Sequence, residues 1–133
     1  MAAHESREEA ENTVDDVEGL RIEVYRTLQL AGLPLSDLPS TPVSAGGGVD
    51  VVESREMGAV IVGWACSAEL LKQAAAAIDR EEDEHPDVQL QDETEAAMAA
   101  AIDRVLRRRG FVTRVRADVP GSHQLVVARR DSD

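Results

Sequence analysis

The segment 59–66, AVIVGWAC, constrains the fold more than any other part of the chain. It contains no polar side chain, so both of its alternating faces are apolar. A strand of this kind belongs in the middle of a sheet that is covered on both sides. Large side chains are few, since the 133 residues include one Phe, one Tyr and one Trp. We therefore expect the chain to lack enough helices of its own to cover both faces of this strand. A second copy or a partner protein would then supply the missing cover.

Strand and turn patterns predict two hairpins. Residues 49–53 and 59–66 flank a short polar turn, and residues 111–118 and 124–130 flank a Pro-Gly turn. In the second hairpin we expect a loop of three or five residues, which would pair Val115 with Val127 and so keep the apolar side chains on one face. That register leaves three basic side chains on the other face, those of Arg114, Arg116 and Arg130.

Helical spacing and capping residues predict three helices. The first carries one apolar stripe, begins near Thr13 or Asp15 and ends at Gly32. Ser67 can cap a second helix that runs to about residue 80. The segment 92–95, DETE, resembles a capping box and predicts the start of a third helix that ends at a glycine.

The predicted order is therefore α-β-β-α-α-β-β. It indicates a two-layer α+β fold with an antiparallel sheet and helices mainly on one face. We expect a single domain over residues 13–130, preceded by a mobile acidic tail at residues 1–12. Within the domain, residues 33–48 predict a Pro/Gly-rich linker and residues 79–91 an acidic loop.

Charge and composition limit the environment of the protein. The chain has 26 acidic and 14 Lys or Arg residues, a net charge of −12, which opposes nonspecific attraction to nucleic acid and to anionic membranes. No apolar run approaches the length of a membrane span, and the first residues lack the pattern of a secretory signal. The single cysteine allows no intrachain disulfide. We therefore expect a cytoplasmic protein that does not associate with membranes.

An arginine-rich segment raises the possibility of nucleic-acid binding. Residues 101–112 and the hairpin after them resemble the recognition helix and wing of winged-helix regulators, which implies a nucleic-acid partner. The candidate basic patch comprises Arg104, Arg107, Arg108, Arg109, Arg114 and Arg116. Two features disfavour this alternative: the predicted loop 79–91 is too long for the turn between the helices, and the acidic start at residues 92–95 would repel phosphate.

Cys66 supports a second alternative, a thiol enzyme. A cysteine between a strand end and a helix start can have a lowered pKa. Catalysis would also need a base, and the pattern of His4, His85 and His123 places none of them near Cys66. A small buried thiol is the favoured interpretation. The sequence has neither metal-ligand spacing nor a phosphate-binding glycine motif, so we assign no catalytic residue, metal or cofactor.

These observations favour a small, acidic, non-catalytic protein-binding module, an adaptor, chaperone-like or regulatory protein that forms a homodimer. An acidic α+β domain of this size is similar to secretion-type chaperones, which hold a partner against their sheets or helices. Candidate partner contacts are the apolar residues of the linker and the single tryptophan, namely Leu33, Leu35, Leu38 and Trp64.

Overall fold

A computed structural model describes residues 2–36 and 47–129, with side chains from residue 16 onward. Three helices and four strands follow each other in the predicted order, which confirms the α+β class. The helices are α1 (Ala2–Leu30), α2 (Ala68–Asp79) and α3 (Pro86–Arg108). The strands are β1 (Gly48–Ser54), β2 (Ala59–Ala65), β3 (Val112–Val115) and β4 (Leu125–Ala128).

The four strands form one antiparallel sheet in the order β1-β2-β4-β3. The apolar strand β2 therefore lies inside the sheet, as its sequence predicts. In the second hairpin, however, Val115 pairs with Leu125 instead of Val127. The loop between these strands covers residues 116–124 and is longer than expected. The shift is two residues, so each side chain keeps its predicted face.

One face of the sheet, here called the inner face, carries the hydrophobic core. Helices α1 and α3 pack on it, while α2 packs on α3 and buries Ala74 and Ala77. The buried core residues come from both helices and from three strands: Leu20, Val24, Leu28, Val49, Val60, Val62, Ile102, Leu106, Leu125 and Val127. The prediction that helices lie mainly on one face is thus confirmed.

Strand β2 is buried more completely than its sequence predicts. Residues 59–63 are buried within a single copy of the chain, and Ile61, which points away from the core, is 9% exposed. The expectation that another molecule must cover this strand is therefore wrong for these residues.

Both long helices begin earlier than expected. The helix α1 begins at Ala2, not at residues 13–15, while the mobility of residues 1–12 stays a prediction. The helix α3 begins at Pro86, so the predicted acidic loop 79–91 shortens to residues 80–85. Proline is preorganised for the first helical position. His85 completes this start, because its Nδ1 accepts a hydrogen bond from the backbone N–H of Asp87 at 3.1 Å.

The predicted linker is attached to the sheet at both of its described ends. The backbone N–H of Val49 donates to the carbonyl of Pro34, and the N–H of Ser36 donates to the carbonyl of Val49, each at 2.8 Å. Gly48 permits this approach, since a Cβ there would lie 2.8 Å from the Pro34 carbonyl oxygen. The beginning of the linker therefore pairs with the edge of β1, while residues 37–46 lie outside the described residues.

Candidate functional site

The sheet has a second face, here called the outer face, which points away from the core. Among the described helices, α1 and α3 pack on the inner face and α2 packs on α3. Strand alternation assigns the remaining side chains of the four strands to the outer face. They are Asp50, Val52, Ser54, Ala59, Ile61, Ala65, Val112, Arg114, Val126 and Ala128, together with the glycine positions 48 and 63.

The centre of the outer face is a row of side chains that crosses all four strands. Val52 pairs with Ile61, Ile61 with Val126, and Val126 with Arg114. The two central side chains are nearly buried, at 9% for Ile61 and 4% for Val126. The exposed apolar surface lies on the outer strands instead, at Val52 (51%) and Val112 (49%).

Charged side chains lie at the opposite edges of the outer face. Asp50 is on β1, and Arg114 is on β3 at the other edge. Arg116 lies just beyond the end of β3 at the same edge of the sheet, because its backbone N–H donates to the Gln124 carbonyl at 2.8 Å. The outer face therefore carries Asp50 at one edge and Arg114 and Arg116 at the other, here called the basic edge, where Asp118 forms an ion pair with Arg116.

The side chain of Arg116 has two partners within the chain. It donates to Asp118 and to the Gln124 Oε1, in each case at 2.8 Å. The hydrogen bond from Arg116 lowers the pKa of the Asp118 carboxyl group. The Gln124 side chain lies over Gly63, where a Cβ would be 3.1 Å from the Gln124 Cγ. These contacts order the basic edge of the outer face.

The predicted partner contacts have an intramolecular role. Leu33, Leu35 and Trp64 are partly buried and pack against the hydrophobic core. Leu38 lies outside the described residues. Leu35 and Trp64 lie on either side of Val49, and the contact of these residues with a partner stays a prediction. Strand alternation could have placed Val52 and Val112 on the outer face instead, because each lies two residues along its strand from another residue of that face.

The predicted basic patch is divided between separate surfaces. Arg104 and Arg108 are exposed on α3, and Arg109 follows at its end. Arg114 lies on the outer face, on the other side of the sheet from α3. Arg116 belongs to the basic edge described above. The structure therefore does not bring these six side chains together into one phosphate-binding surface.

Arg107 has a structural role in the described fold. Its Nε donates to the Asp103 Oδ1 at 3.0 Å and to the Thr113 Oγ1 at 2.8 Å, and the Thr113 hydroxyl donates to Asp103. Burial opposes the ionisation of Asp103, but the hydrogen bonds from Thr113 and Arg107 outweigh it, so the pKa of Asp103 is lowered. This network attaches β3 to α3.

Sequence patterns did not identify a cleft of about 530 Å³ between α1 and the end of α3. Its lining includes Arg26, Arg109 and Arg129 as well as the apolar side chains of Leu30 and Phe111. Arg129 already has acidic partners on α1, because it forms ion pairs with Asp16 and with Glu23. Distant segments of the chain form this cleft, so local spacing could not predict it.

Cys66 has the environment of a buried structural thiol. It is buried, and its Sγ lies 3.9 Å from the carbonyl oxygen of Gln91, to which it donates. Burial, and secondarily the charge of Glu95, raise the pKa of the Cys66 thiol, which is the opposite of nucleophile activation. Of the histidines, His85 caps α3 and His123 bonds to Asp92 at 2.8 Å.

Neither a metal site nor a membrane span is found in the described part of the chain. Within residues 2–36 and 47–129, no group of three or more His, Cys, Asp or Glu side chains is arranged to hold a metal ion. None of the helices described above combines the length and the apolar character that crossing a bilayer requires. Comparisons with protein-family models, curated proteins and solved structures find no match to this chain.

Proposed function

We propose that the protein is a small, acidic, cytoplasmic protein-binding module without catalytic activity, and that the outer face is its binding surface. One observation carries the proposal. Val52 and Val112 are half-exposed on either side of the apolar pair Ile61 and Val126, on a sheet face where none of the described helices packs.

The composition of the outer face suits a protein partner. Protein interfaces have an apolar centre surrounded by polar residues, and apolar surface patches mark such sites. Here valine, isoleucine and alanine occupy the centre, while Asp50 and Arg114 lie at the edges.

The environment of Cys66 supports a non-catalytic role. A catalytic thiol requires a lowered pKa and a nearby base. In this chain the pKa of the thiol is raised, and the described histidines have other partners. The nucleic-acid alternative receives less support, because Arg107 and Arg116 have acidic partners within the chain and Arg114 lies across the sheet from α3.

Site-specific photo-cross-linking tests the proposal. A photoreactive amino acid is placed at Val52 or Val112 in the full chain, and the protein is irradiated in cells of the source organism. Ile78 on α2 is the matched control, since it is 50% exposed but not part of the outer face. We expect a protein adduct of discrete mass from Val52 and from Val112, and none from Ile78. The proposal fails if Val52 and Val112 give no adduct, or if Ile78 gives the same one.

A further inference from the structure

We infer that the cleft between α1 and the end of α3 binds a small organic anion, a ligand that joins one anionic group to an apolar body. The cleft lies at one end of the inner face. Phe111 and Arg129, which line it, flank the paired residues Val112 and Ala128 and so alternate onto that face. The cleft is separate from the outer face, and this inference therefore does not depend on the proposed function.

The ends of two helices bring the lining of the cleft together. Arg26 and Leu30 are four residues apart and lie on the same side of α1. Across the cleft, α3 ends and the chain turns through Gly110, which has a φ of 99°. This turn places Arg109 and Phe111 at the same space. The volume of about 530 Å³ is in the range of small-molecule sites, roughly 300–1,000 Å³.

Two arginines of the cleft carry charge that the described fold does not use. Arg26 and Arg109 are exposed, and neither forms an ion pair with another described residue. Among the described lining residues Glu23 is the one acid, and it already pairs with Arg129. Guanidinium groups bind carboxylate and phosphate groups through paired, charge-assisted hydrogen bonds. An anionic group therefore fits this pair of side chains.

The backbone of the two helix ends does not occupy these arginines. Arginines near a helix C-terminus often donate to its last carbonyl groups. Here the turns after the helices supply donors instead. The carbonyl of Leu28 accepts from the N–H of Leu33, and that of Leu106 accepts from the N–H of Phe111, each at 3.1 Å. The guanidinium groups of Arg26 and Arg109 thus remain available to a ligand.

The apolar part of the lining indicates an organic ligand instead of an inorganic ion. Leu30 is 75% exposed, the largest exposed fraction of any large apolar side chain in the described part of the chain. Phe111 packs partly against the core and also lines the cleft. A ligand with an apolar body would cover this surface and remove it from water, which stabilises the complex. A bare phosphate ion would leave the surface exposed.

Fluorescence titration with anilinonaphthalene sulfonate tests the inference on the full chain. This probe joins a sulfonate anion to aromatic rings, and its emission rises in apolar surroundings. We expect saturable binding of one probe per chain with a Kd on the order of 10–100 μM. Arg26→Glu and Arg109→Glu should each raise the Kd at least about tenfold, because each replaces a charge-assisted hydrogen bond with repulsion.

A matched control and a milder variant keep the titration interpretable. Arg104→Glu makes the same charge change at an exposed position of α3 outside the cleft and should leave the Kd unchanged. Arg26→Gln removes the charge without adding an acid and should raise the Kd less than Arg26→Glu does. Circular dichroism confirms that each variant is folded.

Competition against the bound probe identifies the class of ligand. Naphthoate should displace the probe, while naphthylmethylammonium, which has the same rings but a positive charge, and inorganic phosphate should not. Naphthyl phosphate is compared with naphthoate, and the stronger competitor of the two assigns the anionic group. Displacement by the ammonium compound or by inorganic phosphate, or a Kd that neither arginine variant changes, overturns the inference. None of these outcomes bears on cross-linking at Val52, so the proposed function is tested separately.

Discussion

The two faces of the sheet differ in what lies against them, although the central strand β2 is apolar on both. On the inner face, Val60 and Val62 contact a core that α1 and α3 complete. On the outer face, Ile61 is bordered by the half-exposed Val52, and none of the described helices packs there. The inner side chains of β2 therefore stabilise the monomer, whereas the exposed apolar surface of the outer face lies on the flanking strands, at Val52 and Val112.

The largest expected effect is the removal of an inner-face core side chain. Leu106 on α3 is fully buried, and Leu106→Ala should lower the free energy of unfolding by about 2–5 kcal/mol. Urea denaturation measures this change. Leu30→Ala, at an exposed position of α1, is the matched control and should change it by less than about 0.5 kcal/mol. Equal effects would mean that the core does not lie on the inner face.

A hydroxyl group placed on each face compares them directly. Val62→Thr buries a hydroxyl in the inner core and should cost about 1–3 kcal/mol. Val52→Thr places it on the outer face, where Val52 is 51% exposed, and should cost less than half as much, measured in dilute protein. Equal losses of stability at both positions would contradict the difference between the faces.

The polar attachment of β3 to α3 predicts a dependence on pH. The pKa of Asp103 is lowered in the folded protein, so its ionised form contributes stability above the unfolded pKa, about 3.9, and this contribution is lost as the pH falls through the folded pKa. Asp103→Asn should reduce stability at pH 7 by about 1–2 kcal/mol.

Urea denaturation at a series of pH values measures this effect. We expect the difference in stability between the native protein and Asp103→Asn to shrink as the pH falls from 5 towards 2. Asp79→Asn, at the end of α2, controls for the loss of one charge. A difference that stays constant over this range would show that the carboxylate of Asp103 is not the stabilising group.

Salt should have the smallest effect, a few-fold change in the Kd of the cleft for the sulfonate probe. Added salt screens the attraction between the arginines and the anion, so binding should weaken between 20 and 300 mM NaCl. Fluorescence titration measures it. Cross-linking at Val52 should not weaken over the same range, because the centre of the outer face is apolar. Probe binding that is independent of salt would contradict a charged site at this end of the inner face.

The order of helices and strands along the chain, the interior position of β2 and part of the inner core could be predicted from local patterns. The apolar run at residues 59–66 indicates a central strand, and the helical spacing of Leu20, Val24 and Leu28 identifies the face of α1 that is buried. The start of α3 was missed because the capping pattern at residues 92–95 resembles a helix start more than Pro86 does. The sequence contains both possible helix starts, and only the folded structure shows that α3 begins at Pro86.

The outer face could not be identified as a candidate site from the sequence, because surfaces depend on tertiary placement. Trp64 alternates onto the inner face beside Val49, where it is partly buried and packs on the core. On one face of β1, Val52 lies between Asp50 and Ser54, so the sequence pattern alone predicts a polar face there. Its apolar neighbour Ile61 comes from another strand. The apolar row exists only once the register is known.

Backbone amide chemical shifts, recorded in buffer and in a dialysed lysate of the source organism, test most directly whether the outer face is the binding surface. We predict that the changes caused by the lysate concentrate at outer-face residues such as Val52 and Val112, while the core residues of α1 and α3 change little. Changes that concentrate on the exposed sides of the helices, or shifts that are the same in buffer and in lysate everywhere, would contradict protein binding through this face.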